Sequence, residues 1–204
     1  MLNKKENISY PKEPRDLTIL LICGSTRNPS HTRIGLKEIE TLLNKKEGVK
    51  THFWDLKDEA LPIADPAYHR NPLEHPDERV KRLVKLASEA DAFVLGTPVY
   101  HNSYSGVLKN ALDHLTIQQF IDKSVGLVAH GDERTVIQAC DHLRIVVRGL
   151  SAIAIPIQVA TVNTDFKEIG GDYRLDNKEI QHRMALMADQ LLFFTSRLST
   201  KAEQ

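Results

Sequence analysis

The chain has 204 residues, 41% of them hydrophobic, and its 27 Lys and Arg balance 27 Asp and Glu to a formal net charge of zero. That length buries a core without staples and leads to an expectation of one domain. Balanced charge, and the lack of any run near the roughly 20 apolar residues of a membrane span, exclude a broad footprint for nucleic acid or a membrane, so anion binding must be local.

Residues 1–16 are polar, carry Pro11 and Pro14, and lack the apolar segment of a signal peptide; they read as a tail ahead of a domain over 17–199. Leu17–Cys23 is a nearly continuous apolar run, as expected of a strand buried on both faces. A helical pattern over about 32–46 uses Ile39, Leu42 and Leu43, and Val49–Asp55 suits a second strand. Residues 56–75 are rich in Pro, Asp and His, have no period, and read as a long loop serving as a wall, a lid or a partner surface. Pro76 is expected at the first position of the next helix, with Asp77 and Glu78 in its first turn and Val80, Leu83, Val84 and Ala87 as its stripe. A third strand over 92–96 precedes the helical repeat Leu108, Ala111, Leu112 and Leu115. A fourth strand over 124–130 precedes a helix marked by Val136, Cys140, Leu143 and Val147. A fifth strand lies within 152–162, with Pro156 at an edge or bulge. Residues 163–177 read as a polar loop, and Ile180, Met184, Met187, Leu191 and Phe194 mark the last helix.

This alternation predicts an α/β, flavodoxin-like three-layer sandwich: a five-stranded parallel sheet of order 2-1-3-4-5 with helices on both faces. Ligands of such sheets bind beyond the carboxyl ends of the strands, at the switch in strand order, here beside strands 1 and 3.

Strand 1 runs into Gly24-Ser-Thr-Arg-Asn-Pro-Ser-His-Thr32 and then a helix. A helix N-terminus supplies unpaired N–H groups and a favourable dipole. Ser25, Ser30 and Thr32 add hydroxyls, and Arg27 adds a planar fork suited to phosphate oxygens. Gly24 lets the chain turn as it leaves the strand. The segment lacks both the Walker and the dinucleotide glycine patterns, so a mononucleotide phosphate fits it best. A hydroxyl-capped helix start with a surface arginine is the alternative. Strand 3 runs into Gly96-Thr-Pro-Val-Tyr-His-Asn-Ser-Tyr-Ser-Gly106, where Pro98 stiffens a segment able to present backbone groups to the edge of a flat ring. Ser105 is placed to cap the following helix. A rigid turn without a ligand is the alternative.

Together, Gly24–Thr32 and the run from Thr97 to Asp113 resemble the two signature segments of the NADPH-dependent FMN reductase family. The resemblance continues through Gln119-Phe120 and Leu143-Arg144, covers roughly residues 17–160, and is strongest toward the azobenzene and quinone reductase branch. It implies that Ser25, Arg27, Ser30 and Thr32 hold the FMN phosphate. It also implies that Thr97, Pro98, Val99, Tyr100 and His101 line the isoalloxazine, and that His130, Gly131 and Asp132 close the other side. Many members carry Glu at the position of Val99 and Asn at that of His101, and a Gly-Gly pair in the loop that here reads Gly131-Asp-Glu-Arg-Thr135.

The implied activity is an oxidoreductase that passes a hydride from NADPH or NADH through FMN to a small acceptor: free flavin, a quinone or an azo compound. Backbone donors near Val99–His101 stabilise the reduced ring, and no side-chain nucleophile is required. His101, with His130, is the candidate for relaying a proton. The resemblance further implies a homodimer or homotetramer. The alternative is a flavodoxin-like electron carrier or flavin-binding sensor that does not oxidise NAD(P)H; such carriers are often strongly acidic, unlike this neutral chain. The nine histidines are scattered without paired helical spacing, so no metal site is expected. Cys23 and Cys140, the only cysteines, read as small core residues of a protein in a reducing cytoplasm. Trp54 is expected to pack near strand 2.

Overall fold

Alternate residues of β1 (Leu17–Cys23) serve two separate cores. Leu17, Ile19, Leu21 and Cys23 pack with one cluster, and Leu20 and Ile22 with the other. In the computed structural model, which describes residues 16–198 apart from the side chain of Arg134, β1 pairs in parallel with β2 (Val49–Asp55) and β3 (Ala92–Pro98). β3 pairs in parallel with β4 (Ser124–Gly131), and the strand order is 2-1-3-4-5, as the alternation of elements predicts. The expected tail over 1–16 lies outside the described residues except for Asp16, as does residue 199 at the far end of the domain.

The fifth strand is broken in two. β5 (Ile153–Ala154) and β6 (Val159–Val162) both pair with β4, with Pro156 between them. Proline has no N–H to continue the ladder. The carbonyls of Ala154, Ile155 and Pro156 instead accept from the Arg144 guanidinium at 3.2, 2.8 and 3.2 Å. Arg144 belongs to α5 (Ile137–Gly149), which, with Val136 in the turn before it, packs on the Leu20 side of the sheet.

The same face is covered by α2 (Glu78–Glu89) and α3 (Gly106–Asp113). Pro76 does not open α2. Asp77 is the N-cap, and its carboxylate accepts from Arg79 N at 2.8 Å, a side-chain acceptor that proline lacks. A single turn, α4 (Ile117–Phe120), begins with a reciprocal Thr116–Gln119 capping box. The opposite face is covered by α1 (His31–Asn44) and α6 (Lys178–Leu198).

Residues 163–177 are not a plain loop. β7 (Phe166–Ile169) and β8 (Asp172–Leu175) form an antiparallel hairpin turned by Gly170 and Gly171 at φ +63° and +89°. Asp165 closes its base, accepting from Val162 N at 2.8 Å and Asn177 Nδ2 at 2.7 Å. The long segment 56–75 is also ordered. Asn110 of α3 accepts from Ala64 N at 2.9 Å and donates to Pro62 O at 2.8 Å, and His114 Nε2 meets the same carbonyl at 2.9 Å. Two short 3₁₀ turns, Pro66–Tyr68 and Pro72–Glu74, follow. Trp54 is buried at the end of β2 under the Arg82 guanidinium, which is ion-paired with Glu59. Among the described residues, no helix is long and apolar enough to cross a membrane.

Candidate functional site

The loops after β1 and β3 are tied to each other. Gly24 N donates to Gly96 O at 2.7 Å, and Ser105 Oγ donates to Gly24 O at 2.7 Å while accepting from Leu108 N as the cap of α3. Close packing, not a left-handed turn, is what requires glycine at 24: a Cβ there would lie 2.8 Å from Leu108 Cβ and 2.9 Å from Ser105 Oγ.

Beyond Gly24 the loop leaves donors free. Among the described residues, the amides of Thr26, Arg27, Asn28, Ser30, His31 and Thr32 donate to no protein acceptor. Ser30 is the N-cap of α1; its Oγ accepts from Arg33 N at 3.2 Å and donates to Ser25 Oγ at 2.8 Å. The Ser30 hydrogen is therefore spent inside the loop, and the Ser25 hydrogen is left available. Thr32 is buried, whereas Arg27 is exposed and its side chain has no hydrogen bond or ion pair among the described residues. The arginine that does bind inside the loop is Arg33, which donates to Arg27 O and Ser25 O, both at 2.9 Å, and pairs with Asp55.

The loop after β3 uses most of its own donors. The Thr97 side chain is fully buried, donating to Pro98 O at 2.8 Å and accepting from Ser105 N at 2.9 Å. Val99 N donates to His130 O at 2.7 Å, and Tyr100 and Ser103 exchange both backbone bonds at 2.9 and 3.0 Å. His101 and Asn102 turn the chain at φ 50° and 63°. Thus the Val99 and Tyr100 amides, expected to face a ring, are already paired, the first across the sheet with His130 and the second within its own turn. The exposed surface of this loop is Tyr100, His101 and Asn102, with Val99 half-buried.

At the end of β4, His130 joins three elements. Its Nε2 lies 3.2 Å from both His31 Nδ1 and Asn163 Oδ1, and its Nδ1 lies 3.0 Å from Thr161 Oγ1. Asn163 Nδ2 donates to Asp132 Oδ1 at 2.7 Å, which orients the amide so that its oxygen faces His130. Nε2 then carries the proton, and Nδ1 is the acceptor facing the Thr161 hydroxyl, which also lies 3.3 Å from Ala129 O. The His31 ring stacks on Phe166 at 4.3 Å and meets Tyr173 edge-on at 4.8 Å, so the hairpin seats against the N-terminus of α1. Burial, and then the neighbouring His31, push His130 down to about 4; burial also lowers His31. Both rings are neutral at pH 7. Gly131 is half-buried and Asp132 exposed.

The model of the NADPH-dependent FMN reductase family matches residues 17–166, a span that holds β1 to β6 and all three loops just described. The chain belongs to that family. It is 39% identical over 176 residues to the FMN-dependent NADPH-azoreductase of Staphylococcus saprophyticus, covering 86% of this chain and 93% of that protein. It is 38% identical over 178 residues to the enzyme of the same name from Staphylococcus aureus, covering 87% of this chain and 94% of that protein. In fold it is similar to the apo form of an NADH:FMN oxidoreductase, with a TM-score of 0.71, 20% identity, and 91% of each chain covered. A flavoenzyme NAD(P)H:acceptor oxidoreductase from Paracoccus denitrificans has a TM-score of 0.71 at 17% identity, covering 89% of this chain and 98% of that one.

As an FMN reductase family member, the chain is an oxidoreductase that works with FMN and NADPH. The donor set after β1 fits the group: unpaired amides, a free hydroxyl hydrogen and an unpartnered guanidinium suit a monophosphate. Sequence reasoning missed Arg33, Asp55, His31, Thr161, Asn163, Phe166 and Tyr173. Their partners lie far along the chain, so no local spacing marks them; His31–His130 spans 99 residues. Only the hairpin had a readable signal, the Gly170-Gly171 turn flanked by short strands.

Proposed function

We propose that this FMN reductase family member reduces azo compounds or quinones with NADPH, holding FMN across the loops after β1, β3 and β4. The observation that carries this reading is the row of unpaired amides from Thr26 to Thr32, beside an exposed Arg27. The azo acceptor is supported by the two staphylococcal relatives, each named an FMN-dependent NADPH-azoreductase.

When bound, FMN supplies the two-electron exchange between nicotinamide and acceptor. The protein supplies binding, orientation and a place for protons. Arg27, the Ser25 hydroxyl and the amides of the loop hold the phosphate, with Ser30 acting through Ser25 and Thr32 giving its amide. Tyr100, His101 and Val99 form the accessible wall for the ring, over a floor of Thr97 and Pro98. His130, Gly131 and Asp132 border the opposite side. His101, exposed on its turn, carries the proton delivered to the acceptor.

We further propose a homodimer or homotetramer, supported by apolar side chains left exposed around α3: Ile63 at 84%, Tyr100 at 44% and Val107 at 40%. A reducing, cytoplasmic location is supported by two free thiols, which burial pushes up to about 11 at Cys23 and about 12 at Cys140. The test is the visible spectrum of the purified protein, followed by NADPH oxidation with an azo dye, a quinone and free flavin in turn. A flavin spectrum with acceptor-dependent NADPH loss supports the reading. Bound flavin without NADPH oxidation replaces it with an electron carrier.

A further inference from the structure

Arg33 lies in the first turn of α1, and four of its five N–H donors are used. Nη1 donates to Arg27 O at 2.9 Å, Nη2 donates to Ser25 O at 2.9 Å and to Asp55 Oδ1 at 2.9 Å, and Nε donates to Asp55 Oδ2. Asp55 is the last residue of β2; its Oδ1 also accepts from Lys57 N at 3.0 Å. The pair is mostly covered, with side-chain exposures of 19% and 13%. Two of these four bonds hold alternate carbonyls of the loop on the side of Arg33, and the other two go to Asp55.

In a trans peptide, the C=O of one residue and the N–H of the next point in opposite directions. Holding Ser25 O and Arg27 O toward Arg33 therefore turns the Thr26 and Asn28 amides away from it. Those two amides are among the donors that find no acceptor in the protein. We propose that Arg33 is the positioning residue of the phosphate site: it aims the Thr26 and Asn28 amides at a monophosphate without touching it, and Asp55 locks it in that pose. The inference rests on the reading of this loop as the FMN phosphate site. It assigns the selectivity for FMN over riboflavin to a side chain outside the ligand's reach, and it links that selectivity to the end of β2.

The test compares dissociation constants of FMN and riboflavin, by quenching of flavin fluorescence, for the wild type, Arg33→Gln, Arg33→Lys and Asp55→Asn. The ³¹P NMR shift of bound FMN is recorded for each. Arg33→Gln is expected to weaken FMN by about tenfold or more, to leave riboflavin unchanged, and to move the ³¹P signal toward that of free FMN. Arg33→Lys is expected not to rescue, because one ammonium cannot replace a planar fork spread over three groups. Asp55→Asn, which keeps shape and loses charge, is expected to shift the ratio in the same direction by less; it carries the test if Arg33→Gln fails to fold. Equal loss for both flavins, or an unchanged FMN-to-riboflavin ratio in the folded variants, overturns the proposal. A wild type that binds riboflavin as tightly as FMN instead overturns the reading of the loop itself.

Discussion

At the start of α1, two arginines divide the work by what surrounds them. Arg33 is enclosed and its donors are taken up by carbonyls and a carboxylate, whereas Arg27 is exposed and unpartnered among the described residues. Arg27 is therefore the cation available to a ligand. Arg27→Ala is expected to cost about 1.5–3 kcal/mol of FMN binding, roughly ten- to hundredfold in affinity. A fluorescence titration checks this, and an unchanged constant rules out the clamp. His130 makes a second prediction at this scale. Its folded value of about 4 lies below the ordinary 6.5, so between those values the unfolded chain binds a proton that the native state does not. Stability from the neutral His130 is complete above about pH 6.5 and is lost as pH falls toward 4. The lowered His31 acts in the same direction. Melting temperatures taken across that window should fall with pH in the wild type and fall less steeply in His130→Gln; equal slopes would refute the assignment. Chemical type at Arg27, Ser25 and Thr32 was legible without a structure. That the Ser30 hydroxyl and the Val99 and Tyr100 amides are already paired was not: Val99 finds its partner across the sheet at His130, and Ser30 and Tyr100 find theirs in the folded shape of their own loops, at Ser25 and Ser103.

Among the elements, α3 does more than follow the ring loop. Its Asn110 holds Ala64 and Pro62, and its neighbour His114 shares Pro62 O. The segment 56–75 is thereby pinned to α3 at Pro62 and Ala64 without forming a strand or long helix of its own. Asn110→Ala leaves the Ala64 amide without its partner and Pro62 O with His114 alone, and is expected to cost about 1–3 kcal/mol. Urea unfolding measures the cost, and limited proteolysis should cut within 56–75 faster than in the wild type. Periodicity reads elements that bury one regular face, so β1, β2 and the stripes of α2 and α6 were visible in the sequence. It is blind to a segment whose hydrogen bonds go to side chains 46 and 48 residues away, as at Ala64 and Pro62. The β7–β8 hairpin was missed for a related reason. Only Phe166 and Leu175 are buried in its strands, too few to write a period of two, and its seating depends on His31.

For the molecule as a whole, the exposed apolar residues around α3 lead to a prediction for the assembly. Sedimentation equilibrium is expected to give twice or four times the 23.0 kDa of one chain, and charged substitutions at Ile63 and Val107 should lower it. A monomer at micromolar concentration would remove the oligomer from the account. The architecture itself followed from the sequence. Apolar runs alternating with helical stripes have one economical burial, a parallel sheet covered on both faces, and that topology places the loops after β1 and β3 side by side. The tertiary structure alone decided which donors in those loops remain free, how Arg33, paired with Asp55, holds the carbonyls between them, and how His31, His130 and the hairpin pack together. The physical reason is that a hydrogen bond is used once and depends on distance in space, whereas residue type and spacing record only what each group is able to offer.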